Sequence, residues 1–303
     1  MEKPVQFALG HKLLYGILHL PVREHDVVKI VLMVIGGPQT RVGSHRLYAQ
    51  LARALCDEGV AVYRFDYEGM GDSEGNFVGF EFAGPSIRAA MDYLFGTLSS
   101  LQEAIVWSLC DGAAASVMYA PSDRQRITAM ILCNPYVHTE QGQAKTILRH
   151  YYIRRLLDGE FWQKVFSFRF DAGASFRSFR DLVQKTRSRA NGAATGGEPK
   201  PPEPLPDRVI RGLCAFNRPV RVLLSTNDLT AMEFRDLLQS RAEVQPLLRN
   251  KTLTLQFIEG ADHTFSNREA KRLALAQTLA ALRAFDQAQT PAGMPGRMQV
   301  IPA

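Results

Sequence analysis

The sequence is short of several things that would have placed it quickly. Its 303 residues hold four cysteines, Cys56, Cys110, Cys133 and Cys214, far apart and without a C-x-x-C pair. Neither a zinc knuckle nor a disulfide framework is indicated. No uncharged apolar run approaches the roughly 20 residues needed to span a bilayer. The start, Met-Glu-Lys-Pro-Val-Gln, lacks the basic residues and apolar core of a secretory leader. No internal repeat is visible. These absences predict a reduced, cytoplasmic protein with no transmembrane segment, no metal and no cofactor. What is present, 46% hydrophobic and 22% charged residues, is enough to build a sizeable core. The length allows two average domains or one α/β domain carrying an insertion.

Strand-like and helix-like patterns alternate along the first half. Short β-like runs at 5–9 and 13–20 flank Gly10-His11 and read as a hairpin. The continuous apolar run at 30–35 has the length of a strand buried on both faces and ends in Gly36-Gly37-Pro38-Gln39. A helix is expected over 48–56, a strand over 60–65, a helix over 86–98, and strands over 104–108 and 129–133. The rhythm breaks between 136 and 207 and returns with strands at 220–224 and 253–258 and helices at 231–239 and 268–287. Repeated strand–helix units imply a doubly wound, mostly parallel sheet. Residues 1–135 and 208–290 are then the core and 136–207 an insertion. The segment 188–206 and the tail 291–303 are expected to be loose on composition.

The most informative stretch is Trp107-Ser-Leu-Cys-Asp-Gly112, where an apolar run turns a corner into an alanine-rich helix. A nucleophile on a sharp strand-to-helix turn needs small neighbours, because strand and helix pass close together there. Ser108 and Gly112 stand two residues to either side of Cys110. The usual pattern is G-x-S-x-G, so sulfur replaces the commoner hydroxyl and Ser the first Gly. From this stretch alone Cys110 is equally readable as a small buried hydrophobe.

A thiol nucleophile needs a base, and the base needs a carboxylate. In a parallel sheet these groups leave from the carboxyl ends of strands. Of seven histidines, only His263 follows a late strand, in Glu259-Gly-Ala-Asp-His263. His11, His19, His25, His45, His138 and His150 fall in the hairpin, in loops, at a helix start or in the insertion. Asp228 follows the preceding strand and is preferred as the acid. Asp262 is the alternative, although consecutive side chains usually diverge. Asn134 ends the strand before and cannot serve as an acid.

The order nucleophile, acid, histidine is that of the α/β-hydrolases, and residues 5–287 resemble that superfamily, with 136–207 in the place of its variable cap. Gly36-Gly-Pro-Gln39, Arg41-Val-Gly-Ser-His45, Phe65-Asp-Tyr-Glu-Gly-Met-Gly-Asp-Ser-Glu-Gly75 and the Cys110 elbow resemble the exosortase A system-associated hydrolases, bacterial proteins of exopolysaccharide and protein-sorting loci. The resemblance implies an eight-stranded, mostly parallel sheet with helices on both faces and a helical cap. It also implies an oxyanion hole made by the N–H of Asp111 and one from the loop after the third strand. Pro38 has no N–H, so Gly37 is the choice, with Gln39 behind it. The loop carries Ile35 where many relatives have His.

The expected activity is hydrolysis of an ester or thioester through Cys110, Asp228 and His263 and an acyl-enzyme. Acyl transfer by the same triad, or a non-catalytic binding role on the same fold, are the alternatives. Gly69-Met-Gly71 hints at dinucleotide binding, but the next Gly falls at 75 rather than 74, so the segment reads as a structural loop. No nucleic-acid partner is indicated. Residues 141–190 carry eleven Lys or Arg against four Asp or Glu, an excess of seven positive charges, among Phe161, Trp162, Phe166, Phe168, Phe170, Phe176 and Phe179. Their plain reading is a solvated basic face. The functional one is a cap whose apolar side covers Cys110 and whose arginines receive a small-molecule acyl substrate with an anionic portion.

Overall fold

The computed structural model describes residues 1–21, 27–37, 39–138 and 203–289. The expectations for the cap and the tail lie almost wholly outside these residues. Eight strands form one sheet: β1 (Glu2–Leu9), β2 (Lys12–His19), β3 (Lys29–Val34), β4 (Ala61–Phe65), β5 (Glu103–Leu109), β6 (Ile127–Cys133), β7 (Val220–Ser225) and β8 (Leu253–Ile258). Their order is β1-β2-β4-β3-β5-β6-β7-β8. β1 and β2 form an antiparallel hairpin that adds antiparallel to β4, and the pairings from β4 through β8 are parallel.

Every residue of β4 is buried, as is all of β3 and β5 beyond the first residue. Continuous apolar runs therefore mark strands covered on both faces, as parallel sheets require. The covering helices are α1 (Leu47–Asp57), α2 (Gly84–Thr97), α3 (Asp111–Tyr119), α4 (Leu205–Phe216), α5 (Leu229–Ser240), α6 (Gln245–Arg249) and α7 (Arg268–Gln289). α1 packs with α7, while α2 and α4 pack with α3. Buried Trp107 of β5 donates its indole N–H to Thr278 of α7 at 3.1 Å and meets Tyr48 of α1 edge-on. Gly212 lets α4 approach α3 closely, since a Cβ there would lie 2.5 Å from the Val117 carbonyl oxygen.

Two helices differ from the sequence expectation. α4 begins at Leu205, so the end of the segment expected to be loose is helical, and α6 was not expected at all. Prolines near the start of both helices read as punctuation, yet the first turn of a helix has no use for those N–H groups. No described helix is long and apolar enough to cross a membrane.

Register decides what the sheet offers at its carboxyl edge. Val34 pairs with Ser108, Leu109 with Cys133, Cys133 with Leu223, and Ser225 with Ile258. The loops that leave β3, β5, β6, β7 and β8 consequently emerge side by side.

Candidate active site

Cys110 stands alone between β5 and α3 with φ 59° and ψ −128°. Such a conformation costs a non-glycine residue about 1–3 kcal/mol and persists only where its surroundings over-determine it. Here the Cys110 N–H donates to Cys133 O at 3.0 Å, and its carbonyl accepts from Ala113 and Tyr136 at 3.0 and 3.1 Å. Gly112 is required by space: a Cβ would come within 2.7 Å of Val34 O and 2.8 Å of Gly36 N. Ser108 is wholly buried, within β5 rather than at its end, and has no exposed hydroxyl to act as a nucleophile.

His263 lies in the loop after β8. Its Nδ1 bonds Asp228 Oδ2 at 2.7 Å, which leaves the other nitrogen free of Asp228, and the Cys110 sulfur is near enough to favour the charged ring. Burial opposes the charged ring, but Asp228 and Cys110 outweigh it, and His263 is pushed up to about 10. Asp228 is held from behind: it caps α5 by accepting the N–H groups of Thr230 and Ala231 at 3.1 and 3.3 Å. Its carboxylate is therefore aimed before any substrate arrives. Asp262 turns the other way and accepts both the N–H and the hydroxyl of Ser266.

Asn134 has a role that sequence reasoning did not find. Fully buried at the end of β6, with φ 44° of the kind Asn tolerates, it bridges the two flanking loops. Its Nδ2 donates to the His263 carbonyl at 2.8 Å and to Ser225 Oγ at 2.9 Å, and its Oδ1 accepts the Ser225 N–H at 2.8 Å. The only sequence signal is its position at a strand end. Asn134→Ala leaves the Ser225 N–H unpaired in the interior and should cost about 1–3 kcal/mol or more. It should also lower turnover more than substrate binding, because it frees the histidine loop. Denaturant melts and a kcat against KM comparison check both effects.

The loop after β3 approaches the elbow directly. The Gly36 N–H donates to the Tyr48 hydroxyl at 3.4 Å, and Gly37, at φ 68°, donates its N–H to the Asp111 carboxylate. The N–H groups of Gly112 and of Asp111 itself lie close enough to favour the charged form of that carboxylate. Both N–H groups named for the oxyanion hole, on Gly37 and Asp111, thus act on one side chain of the same chain. Gln39 braces the loop: its N–H donates to Gly37 O at 2.8 Å and its Oε1 accepts from the Ser44 N–H and hydroxyl.

The glycine-rich segment after β4 belongs to a polar anchor. Buried Asp66 accepts from the backbone N–H and guanidinium of Arg41 and from the Asp72 N–H. Gly71 is needed because a Cβ there would strike that carboxylate. Ser73 accepts the Tyr15 N–H and donates to Asp66 O, a turn role. Of the other described histidines, His19 is fully buried against Arg64 and pushed down to about 4, chiefly by desolvation. His138 pairs with Glu233 at 3.4 Å and packs against Tyr136.

Comparison with known proteins agrees with this architecture. Residues 30–165 match the Hydrolase_4 family, described as serine aminopeptidase S33. An esterase of Pyrococcus furiosus superposes with a TM-score of 0.60 at 14% identity, covering 94% of this chain and 91% of its own. Est1E of Butyrivibrio proteoclasticus, solved with ferulic acid bound, gives 0.58 at 14% identity over 92% and 99% of the two chains. A proline iminopeptidase of Mycobacterium smegmatis gives 0.54 at 16% identity over 95% and 100%. No curated protein sequence matches the chain. The fold is that of the α/β-hydrolases.

Proposed function

We propose that this chain is an acyl hydrolase acting on carboxylic esters or thioesters, with Cys110 as nucleophile, His263 as acid and base, and Asp228 as the residue that orients His263. One observation carries the reading: a thiol on a strained strand-to-helix corner lies beside an imidazole, favouring its charged form, and that imidazole is itself bonded to a capping carboxylate. The Cys110 sulfur attacks the acyl carbon, and His263 returns a proton to the departing alcohol or thiol as the acyl-thioenzyme forms. Acylation then removes the sulfur's contribution to the raised pKa of His263. The ring is freer to lose its proton and can activate the water that attacks the thioester. A thiolate is a better leaving group than an alkoxide, so esters, thioesters and activated lactones suit the site better than plain amides.

The resemblance of the loops at 36–45 and 65–75 to exosortase A system-associated hydrolases supports a substrate from exopolysaccharide metabolism. The basic, aromatic-rich sequence at 141–190 supports an apolar acyl group with an anionic portion. A chromogenic ester and thioester panel, followed by mass mapping of the trapped intermediate, tests the reading. The expected result is turnover with an acyl mass on Cys110. An acyl mass on a serine, or turnover unaffected by thiol blockade, would refute the thiol mechanism.

A further inference from the structure

The position of Asp111 has a consequence for how any such reaction starts. Its carboxylate accepts the N–H of Gly37 on the loop after β3, and the Asp111 and Gly112 N–H groups at the first turn of α3 favour its charged form. The seat is shaped for it: a Cβ on Gly36 would lie 2.4 Å from Asp111 Oδ1, so only glycine at 36 leaves room for the oxygen. A carboxylate oxygen is an oxyanion, and its bonds to N–H groups are charge-assisted. A tetrahedral intermediate formed on Cys110 would need those same donors for its own negative oxygen. Two anions cannot share them without strong repulsion. We infer that Asp111 is a built-in occupant of the oxyanion site, which an incoming carbonyl oxygen has to displace before the Gly37 and Asp111 N–H groups can stabilise the intermediate.

This inference rests on the acyl-hydrolase reading above. As the sulfur bonds to the carbonyl carbon, the π pair moves onto the carbonyl oxygen, which takes the donors while the Asp111 side chain leaves them. No proton or electron from elsewhere is required. Burial, against the pull of the three N–H groups and of His263, holds the Asp111 carboxyl above the usual carboxylate range, which makes it a less tenacious occupant than a solvated one. The arrangement selects for substrates whose remaining contacts can offset the displacement, and penalises small esters that bring nothing but a carbonyl.

The test compares two reactions of Cys110 in the full-length wild type, Asp111→Asn and Asp111→Ala. Acylation by p-nitrophenyl acetate, followed as the pre-steady-state burst, needs the oxyanion site. Alkylation by iodoacetamide is displacement at a saturated carbon and does not. The ratio of acylation to alkylation rate should rise about tenfold or more in Asp111→Ala. It should rise less in Asp111→Asn, whose amide oxygen is a neutral and weaker competitor. Normalising to alkylation removes any general effect of the lost charge on the thiol, and a merely structural role would lower stability without raising the ratio. If Asp111→Ala fails to fold, Asp111→Asn decides alone. A ratio unchanged or lowered in the folded variants overturns the inference while leaving the hydrolase reading in place. Alkylation of Cys110 without acylation in any of the three proteins overturns both.

Discussion

Cys110→Ala removes ester turnover by roughly ten-thousandfold or more, the scale on which loss of a nucleophile acts when the rest of the site survives. The change should leave the fold intact, because Cys110 is only partly buried and its backbone, not its side chain, makes the bonds that hold the corner. Cys110→Ser retains a small activity, since a hydroxyl in this place still faces His263. The same residue should be the first of the four cysteines to react with iodoacetamide. Cys133 is fully buried and burial drives its thiol well up. Burial likewise raises the thiols of Cys56 and Cys214, and among the described residues neither has an imidazole bonded to it. Peptide mapping after brief labelling reads the order directly. Faster labelling of Cys56 or Cys214, with Cys110 inert, would be incompatible with the proposed chemistry.

Asp228→Asn is expected to lower kcat/KM by roughly a hundredfold or more, as is His263→Ala, and the double variant should be little worse than either. The pH profile distinguishes orientation from simple disruption. In the wild type, His263 holds its proton up to about pH 10, so donation to a poor leaving group should persist until then and fail above it. Removing the Asp228 charge lowers that alkaline limit toward the ordinary histidine range. A pH profile whose alkaline limb stays in place in Asp228→Asn would show that Asp228 does not act through His263. Stability carries the same signature. A histidine whose pKa is raised on folding stabilises the protein fully below its unfolded value, about 6.5, and loses that contribution as pH rises through about 10. The stability gap between wild type and His263→Ala should therefore shrink between those pH values, and denaturant melts at pH 6 and pH 10.5 measure it.

Most of the sheet was readable in one dimension. Apolar runs such as Ile30 to Val34 and Ala104 to Trp107 have the length and β-branched or aromatic content of strands buried on both faces, and the small residues around Cys110 betray a corner too tight for bulk. The main omission, α4, had its signal in place. Val209, Ile210, Leu213 and Phe216 are buried at helical spacing, but the prolines and polar residues before them read as a linker.

The sequence by itself determined the eight strands along the chain and five of the seven described helices, the sharp corner at Cys110, and the short list of groups that follow strand ends. It could do so because those features depend on neighbours in the chain: periodicity, turn chemistry and steric crowding within a few residues. Tertiary structure alone decided which of those groups meet. Asn134 joins Ser225 and the His263 loop across 91 and 129 residues, and Asp111 takes the N–H of Gly37 across 74. Asn and Asp side chains can as readily bond backbone groups close to them in sequence. Only the register of β3, β5, β6, β7 and β8 brings the long-range partners within hydrogen-bond distance, and a contact created by register leaves no pattern in the stretch of chain that makes it.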